Sequence, residues 1–453
     1  MTGAPPVRRL LLLAAVAQCM LLLCAVRHQF FWGGSLAEWL HLAETLGLLA
    51  AAAIGAFAYV RALRAAGLAD QREWMLGAVV LAAIATLAPP FLSNDVWDYL
   101  ARGRVQALGE NPYLTTVLSM KDDPAMAAFA ARANWPEWVM PYGPLSALMQ
   151  SLVARIDNPW IGAYAWKALA ALAHLATASL LAISVRHTAG EQAARRAFVA
   201  WAWNPWLLLE SCGSGHNDAF LALGLAAACA AMARGAFGTT AIGYGAGMLV
   251  KHASPAMAPL LLATAARQRR LAPFAIGTLC VGAGIAAAWS AWWSVPGGVD
   301  WIRNQVNVAR GSLSAILTEH AGGTVGMAAA WAGTVLFAIV LALAAWRARD
   351  HGTCCRAGAV ATATLVVFSI PNFAPWYHLW WLPLGVAAAD AALLRPLVLL
   401  SFAGIASYAA FTATHAFGPA HEAFAFALAG LMPLVAAFEA CRWLLSSRRG
   451  PSA

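Results

Sequence analysis

Residues 10–26 read LLLLAAVAQCMLLLCAV, held between Arg8-Arg9 on one side and Arg27 on the other. Crossing about 30 Å of hydrocarbon takes roughly 20 apolar residues in a helix. Runs of this kind recur from Leu46 to Val60 and onward along the chain. Of 453 residues, 61% are apolar and 11% charged, which makes lipid the solvent. Backbone groups in lipid must pair internally, so the expected fold is all-α, a polytopic transmembrane bundle of about 12 to 14 spans. The whole chain, 1–453, reads as a single membrane domain. No small-x-small cleavage site follows the first run, which ends Cys24-Ala25-Val26-Arg27, so it reads as an uncleaved span rather than a secretory signal.

Arginine sets the orientation. Arg8 and Arg9, then Arg61, Arg64 and Arg72, Arg186, Arg195 and Arg196, Arg234, Arg267 to Arg270, Arg347 to Arg356, Arg395, and Arg442 to Arg449 fall on alternate connections, and carry nineteen of the 29 basic residues. The positive-inside rule puts those connections and both termini in the cytoplasm, in a bacterial-type inner membrane. The net charge of +9 is explained by this placement, and no nucleic-acid partner is expected. The other side receives residues 27–38, the loop 93–142, the Gly215 to Asp218 turn, Lys251, and residues 295–322, 371–378 and 412–424. Residues 143–156 and 161–185 both look helical where charge permits an odd number of crossings, so the first is a partial or interfacial helix or the count is off by one. Helices at 197–211, 239–250 and 256–266 are short for a bilayer, which requires protein or a wet cavity around them.

Eight cysteines are scattered, five of them (Cys19, Cys24, Cys229, Cys280, Cys441) in apolar segments, with Cys354-Cys355 in a basic loop. Neither a disulfide framework nor a metal spacing emerges. Trp201-Ala202-Trp203 and Trp292-Trp293 read as interfacial belts or packing rather than sugar platforms.

The loop 93–142 carries six of the 20 carboxylates and three tryptophans. Long ordered loops on a rigid scaffold usually carry function. It begins Ser93-Asn94-Asp95-Val96-Trp97-Asp98-Tyr99-Leu100-Ala101-Arg102-Gly103-Arg104 and closes Gly109-Glu110-Asn111-Pro112-Tyr113. Ser93 or Asn94 caps, and Gly109 with Pro112 ends, a short amphipathic helix at the membrane surface. Asp95, Asp98 and Arg102 share a face through i, i+3 and i+4 spacing. The plain alternative is a carboxylate at a helix N-terminus plus an ordinary surface ion pair. At the same depth stand Gly215-His216-Asn217-Asp218, Lys251-His252 and Pro375-Trp376-Tyr377-His378. Ionisable groups in a membrane cost roughly 2.5 to 3.5 kcal/mol on insertion scales, and persist by pairing or by lining a functional cavity. Lys251, one of three lysines, either lines such a cavity or pairs with Asp218 or Glu210.

The ordered set Ser93-Asn94-Asp95-Val96-Trp97-Asp98-Tyr99 with Gly103, Asn111-Pro112-Tyr113, Pro141-Tyr142-Gly143-Pro144, Asn204-Pro205, Gly215-His216-Asn217-Asp218, Lys251 and Pro375-Trp376-Tyr377 resembles the GT-C superfamily of polyprenyl-phosphate-sugar-dependent glycosyltransferases, above all the bacterial polyprenol-phosphomannose-dependent mannosyltransferases. The resemblance implies a membrane-embedded site open to the outer face, with Asp95 at the family's acidic base position. Asp98 is the second choice. Two spans precede the catalytic-loop span here, where many superfamily members have one. It further implies inverting transfer of a sugar, mannose above all, from a polyprenyl phosphate to a glycan or lipid acceptor.

For the departing phosphate, Arg102, Lys251, His252, His216 and His378 are candidates, and Asp218 stands among them as a binding residue. Tyr99, Tyr142, Trp376 and Tyr377 are expected to hold the lipid neck or the sugar face. No metal or other cofactor is expected, since the donor carries one phosphate and no Asp-x-Asp motif occurs. Rival readings are a transporter or flippase coupled through Lys251, His216 and Asp218, and a polysaccharide polymerase or ligase using a lipid-linked donor.

Overall fold

The computed structural model describes residues 7–30, 37–68, 70–90, 92–289, 311–417, 424 and 426–431. Among them the chain is helical throughout, with one isolated bridge between Gly311 and Asn372 as its sole extended pairing. Trp292, Trp293, Cys441 and residues 442–449 lie outside the described residues, as do parts of the expected loops 27–38, 295–322 and 412–424.

The first helices are α1 (Val7–Phe30), α2 (Ala37–Ala65) and α3 (Gln71–Leu87). The loop helices α4 (Asp95–Ala107) and α5 (Pro124–Ala130) follow, then α6 (Pro144–Val153) and α7 (Pro159–Ala202). After them come α8 (Pro205–Leu208) with a wide turn Leu209–Gly213, α9 (Asp218–Ala233), α10 (Phe237–Val250), α11 (Met257–Arg267) and α12 (Leu271–Trp289). The last are α13 (Leu313–Ala321), α14 (Gly323–Arg347), α15 (His351–Thr364) with a wide turn Leu365–Ser369, a tight turn Pro375–Trp380, α16 (Leu382–Ala387) and α17 (Ala391–Phe417).

Six described helices are long and apolar enough to cross a membrane, and the pair Pro205–Gly213 and Asp218–Ala233, bent by 116°, makes a seventh if taken as one span. The other apolar runs among the described residues are shorter, for a physical reason. Polar breaks divide the apolar runs, so α3, α10 and α11 are too short to cross alone and depend on neighbours for cover. α7 itself is two helices joined at Gly190, where φ is 83° and ψ 179°. Leu12, Leu23, Leu76, Leu87, Leu279 and Trp331 stand exposed, the outward surface of a protein solvated by lipid rather than water. The chain is a multi-pass membrane protein.

α6 removes the ambiguity around residues 143–185. Gly143 N–H donates to Val250 O at the end of α10 at 3.0 Å, Arg104 Nη1 of α4 donates to Ala154 O at 3.1 Å, and with ten residues the helix is too short to cross a bilayer. It is a partial helix. A Cβ at Gly143 would lie 2.1 Å from Leu249 O, so glycine is what permits this close approach.

The Arg-bearing connections bind one another at the other end. Arg267 Nη1 donates to Ala345 O at 2.7 Å, Arg234 Nε reaches His187 Nε2 at 3.1 Å, and Arg356 pairs with Asp390 at 2.7 Å. Cys354 and Cys355 are buried within α15 rather than in a loop, and the seven described cysteines are free thiols. Trp201 and Trp203 are buried, Trp203 donating to Trp74 O at 3.0 Å, so they pack and do not form a belt. Asn204 caps α8 through Trp206 N–H (3.0 Å) and donates to Leu397 O (2.9 Å), a structural role for that landmark.

Candidate active site

α4 starts where the sequence places it. Asn94 is at the N-cap position, Asp95 N–H donates to Ser93 Oγ at 3.3 Å, and Asp95 and Asp98 sit in a first turn whose free N–H groups favour negative charge. The helix is not a surface element, however. Val96 to Gly103 are buried, because the loop 111–142 folds over them.

Burial separates the two acids. Asp98 and Arg102 pair at 3.7 Å and turn to the loop: Trp135 N–H donates to Asp98 Oδ1 (3.1 Å), while Arg102 donates to Trp135 O (3.2 Å) and Trp138 O (3.4 Å). Burial pushes the Asp98 carboxyl up to about 6, against the pull of Arg102. Asp95, with 23% of its side chain exposed, turns instead to the break between α8 and α9, where its Oδ2 lies 3.5 Å from His216 Nδ1 and 3.3 Å from Tyr99 OH. Burial raises the proton affinity of Asp95, but His216 foremost, then Lys251 and Arg102, hold it below the ordinary carboxylate value. So the expected common face of Asp95, Asp98 and Arg102 does not hold together, because each acid finds a different partner.

From His216 the chain of polar contacts runs inward. Its Nε2 is 3.3 Å from Glu210 Oε2, and Glu210 Oε1 accepts from Tyr408 OH at 2.7 Å. The His216 ring stacks on Trp376, centroids 4.0 Å apart at 17°. The break adopts its shape because Gly215 sits at φ +69°, where a Cβ would meet Lys167 Cγ at 2.9 Å. Trp166 Nε1 holds it by donating to Gly215 O at 2.7 Å.

Asp218, fully buried at the start of α9, accepts both bonds of Lys251 Nζ at 3.0 and 2.9 Å, and a third from Trp380 Nε1. The Lys251 ammonium lies over the rings of Tyr377 (5.0 Å), Trp380 (5.5 Å) and Tyr142 (5.7 Å). Tyr142 meets Tyr99 edge-on at 5.3 Å, and Tyr99 OH also lies 3.4 Å from Asn217 Oδ1. Five segments far apart in sequence thus form one cluster holding Asp95, Tyr99, Tyr142, His216, Asp218, Lys251, Trp376 and Tyr377.

Three expected anion-binding groups stand elsewhere. Arg102 serves the loop. His252 is exposed next to Lys251. His378 is buried away from it, donating from Nε2 to Ala429 O and accepting at Nδ1 from Trp381 Nε1 (2.9 Å); burial lowers it to about 4, so it is a neutral packing group. Among the described residues no group of three or more His, Cys, Asp or Glu side chains is arranged for a metal ion.

Of the two partners expected for Lys251, Asp218 takes it and Glu210 instead lies against His216. One buried charge was not anticipated. Lys167, fully buried in α7, donates to Thr86 O at 2.8 Å and to Ala88 O, tying off the end of α3 on the approach to α4.

Comparison with known proteins gives a consistent picture. Residues 10–269 match a family model described as alpha-(1->6)-mannopyranosyltransferase, N-terminal domain. The chain is 25% identical over 371 residues to alpha-(1->6)-mannopyranosyltransferase A of Mycobacterium tuberculosis, covering 76% of this chain and 70% of that protein. Over 136 residues it is 26% identical to alpha-(1->6)-mannopyranosyltransferase A of Corynebacterium glutamicum, 30% of this chain and 27% of that protein. Over 142 residues it is 29% identical to alpha-(1->6)-mannopyranosyltransferase B of the same organism, 30% of this chain and 22% of that protein. No solved structure matches.

Proposed function

The chain belongs to the alpha-(1->6)-mannopyranosyltransferase family, and on that premise we propose that it transfers mannose from a polyprenyl phosphate to a hydroxyl of a glycan or lipid acceptor, with inversion, Asp95 acting as general base. The observation that carries this reading is the setting of the Asp95 carboxylate. It is partly open, it belongs to a cluster drawn from five segments, and its two side-chain contacts both use Oδ2. Oδ1 is left for a substrate hydroxyl.

In the proposed step the acceptor oxygen attacks the anomeric carbon as the bond from that carbon to the phosphate oxygen breaks. The electron pair leaves with the lipid phosphate, and the hydroxyl proton passes to Asp95. His216, braced by Glu210 and stacked on Trp376, fixes the orientation of Asp95. Lys251 with Asp218 forms a neutral pair behind the rings of Tyr142, Tyr377 and Trp380, a wall suited to a sugar ring with polar groups between its apolar faces. The reading assigns no metal or other cofactor. Clustering of the Arg-bearing connections at the opposite end supports a cytoplasmic-membrane enzyme with cytoplasmic termini, its site facing the periplasm or exterior.

The test is Asp95→Asn in vesicles supplied with polyprenyl phosphomannose and an α-mannoside acceptor. Turnover should fall by roughly 10²- to 10⁴-fold while the variant stays folded. Turnover within about threefold of the parent protein would remove Asp95 from the role.

A further inference from the structure

Every cation in the cluster around Asp95 is already matched. Lys251 holds Asp218, His216 lies between Asp95 and Glu210, Arg102 holds Asp98, and nearby Arg104 holds Asp157 at 2.9 Å. A phosphate entering there meets no uncompensated positive charge. On the other side of the α4 N-terminus is an open pocket of about 340 Å³ lined by His28, Gln29, Asn94, Trp97 and Arg132. Its lining is an imidazole, two carboxamides, an indole and a guanidinium, without a carboxylate or an aliphatic side chain. The Arg132 guanidinium lies 5.5 Å from the ring centres of both Trp97 and Trp160, and its buried Nε has no hydrogen-bond partner. Among the described residues no carboxylate pairs with it.

We propose that this pocket seats the phosphate of the lipid-linked donor, with Arg132 as its principal ligand. The inference rests on the donor reading above and adds the place where the anion binds. Chemistry and position agree. A guanidinium recognises a phosphate through paired N–H donors, and one held between the two nearly perpendicular indoles of Trp97 and Trp160 loses little entropy on binding. His28 closes the outer end of α1, with Nδ1 on the buried Glu44 at 2.9 Å, at the depth where a lipid headgroup meets a spanning helix. Asn94 is the residue before Asp95, so the pocket adjoins the start of α4.

The experiment measures binding of polyprenyl phosphate, without a sugar, to the full-length protein in nanodiscs, with inorganic phosphate and phosphatidylglycerol as separate competitors. Arg132→Gln should raise the dissociation constant by about tenfold or more, and Arg132→Lys by less, because one charged donor remains. Competition by phosphatidylglycerol as effective as by polyprenyl phosphate would assign the pocket to a structural lipid and overturn the donor role, as would full competition by inorganic phosphate at equal concentration. An unchanged constant in both variants would overturn the proposal outright. Should Arg132→Gln fail to fold, the Arg132→Lys constant decides. Because no mannose is transferred in this assay, failure here and failure of the Asp95 reading are separate results.

Discussion

Replacing Asp98 by Asn tests the separation of the two acids in α4. Asp98 is 2% exposed, and its Oδ2 has no partner. Burial lifts its carboxyl from 3.8 to about 6, so the folded protein keeps a proton that the unfolded chain releases near pH 4. The sign follows. Stability from this group is fully present at about pH 4 and below, drains away as pH rises toward about 6, and is absent above it, amounting to about 3 kcal/mol. Asn resembles the protonated acid and does not titrate. The difference between Asp98→Asn and the parent protein should therefore grow in favour of the variant from near zero at about pH 4 to about 3 kcal/mol at about pH 7, as read from denaturation in detergent at each pH. Taking the difference cancels Asp95 and the other carboxylates common to both. Mannosyl transfer at neutral pH should survive in this variant, in contrast to Asp95→Asn. Parallel stability curves, or a variant that loses ground as pH rises, would refute the assignment of a burial-raised carboxyl.

Two further outcomes follow from close packing and from charge pairing. Gly143→Ala places a methyl against Leu249 O at a contact that sets Tyr142 beside Lys251; it should cost about 1 to 3 kcal/mol, seen as a lower melting temperature, and an unshifted melt would show that the backbone yields freely. Lys251→Met alone leaves the Asp218 carboxylate buried without its cation, a loss of about 3 to 5 kcal/mol, whereas Lys251→Met with Asp218→Leu should recover much of it; a double variant no more stable than the single one would mean that the pair does not act as a unit.

The helical membrane fold was legible because lipid leaves so few alternatives: runs such as residues 10–26 have one way to satisfy their backbone. The meeting of Asp95, His216, Lys251 and Trp376 was legible for the same reason, since polar groups interrupting apolar helices at one depth have little else to pair with. Partner choice was not. Helical spacing puts Asp98 beside Asp95, but the fold of residues 134–138 over α4 takes Asp98 and Arg102 away, and nothing local announces that fold. His378 reads like His216 in sequence, yet it is neutral because Trp381 and Ala429 absorb both ring nitrogens. Glu210 and Tyr408 meet across 198 residues, a separation that periodicity and capping cannot bridge. Arg132 was indistinct among loop charges until the absence of a carboxylate beside it was visible in three dimensions.

The two proposals constrain each other through geometry. Inversion at an anomeric carbon needs the incoming hydroxyl and the departing phosphate on opposite faces of the sugar. Asp95 and Trp97 are two positions apart on one helix, so their side chains diverge by about 200° around its axis. Asp95 thereby faces His216 and the aromatic wall, and Trp97 faces Arg132 and Trp160. On this proposal a donor with its phosphate against Arg132 has to bring its anomeric carbon across the start of α4 to Asp95. A donor with its phosphate at Lys251 would instead bring the leaving group to the same side as the base, and would compete with Asp218 for the ammonium. The charge pairing therefore favours Arg132 over Lys251 as the seat proposed for the phosphate.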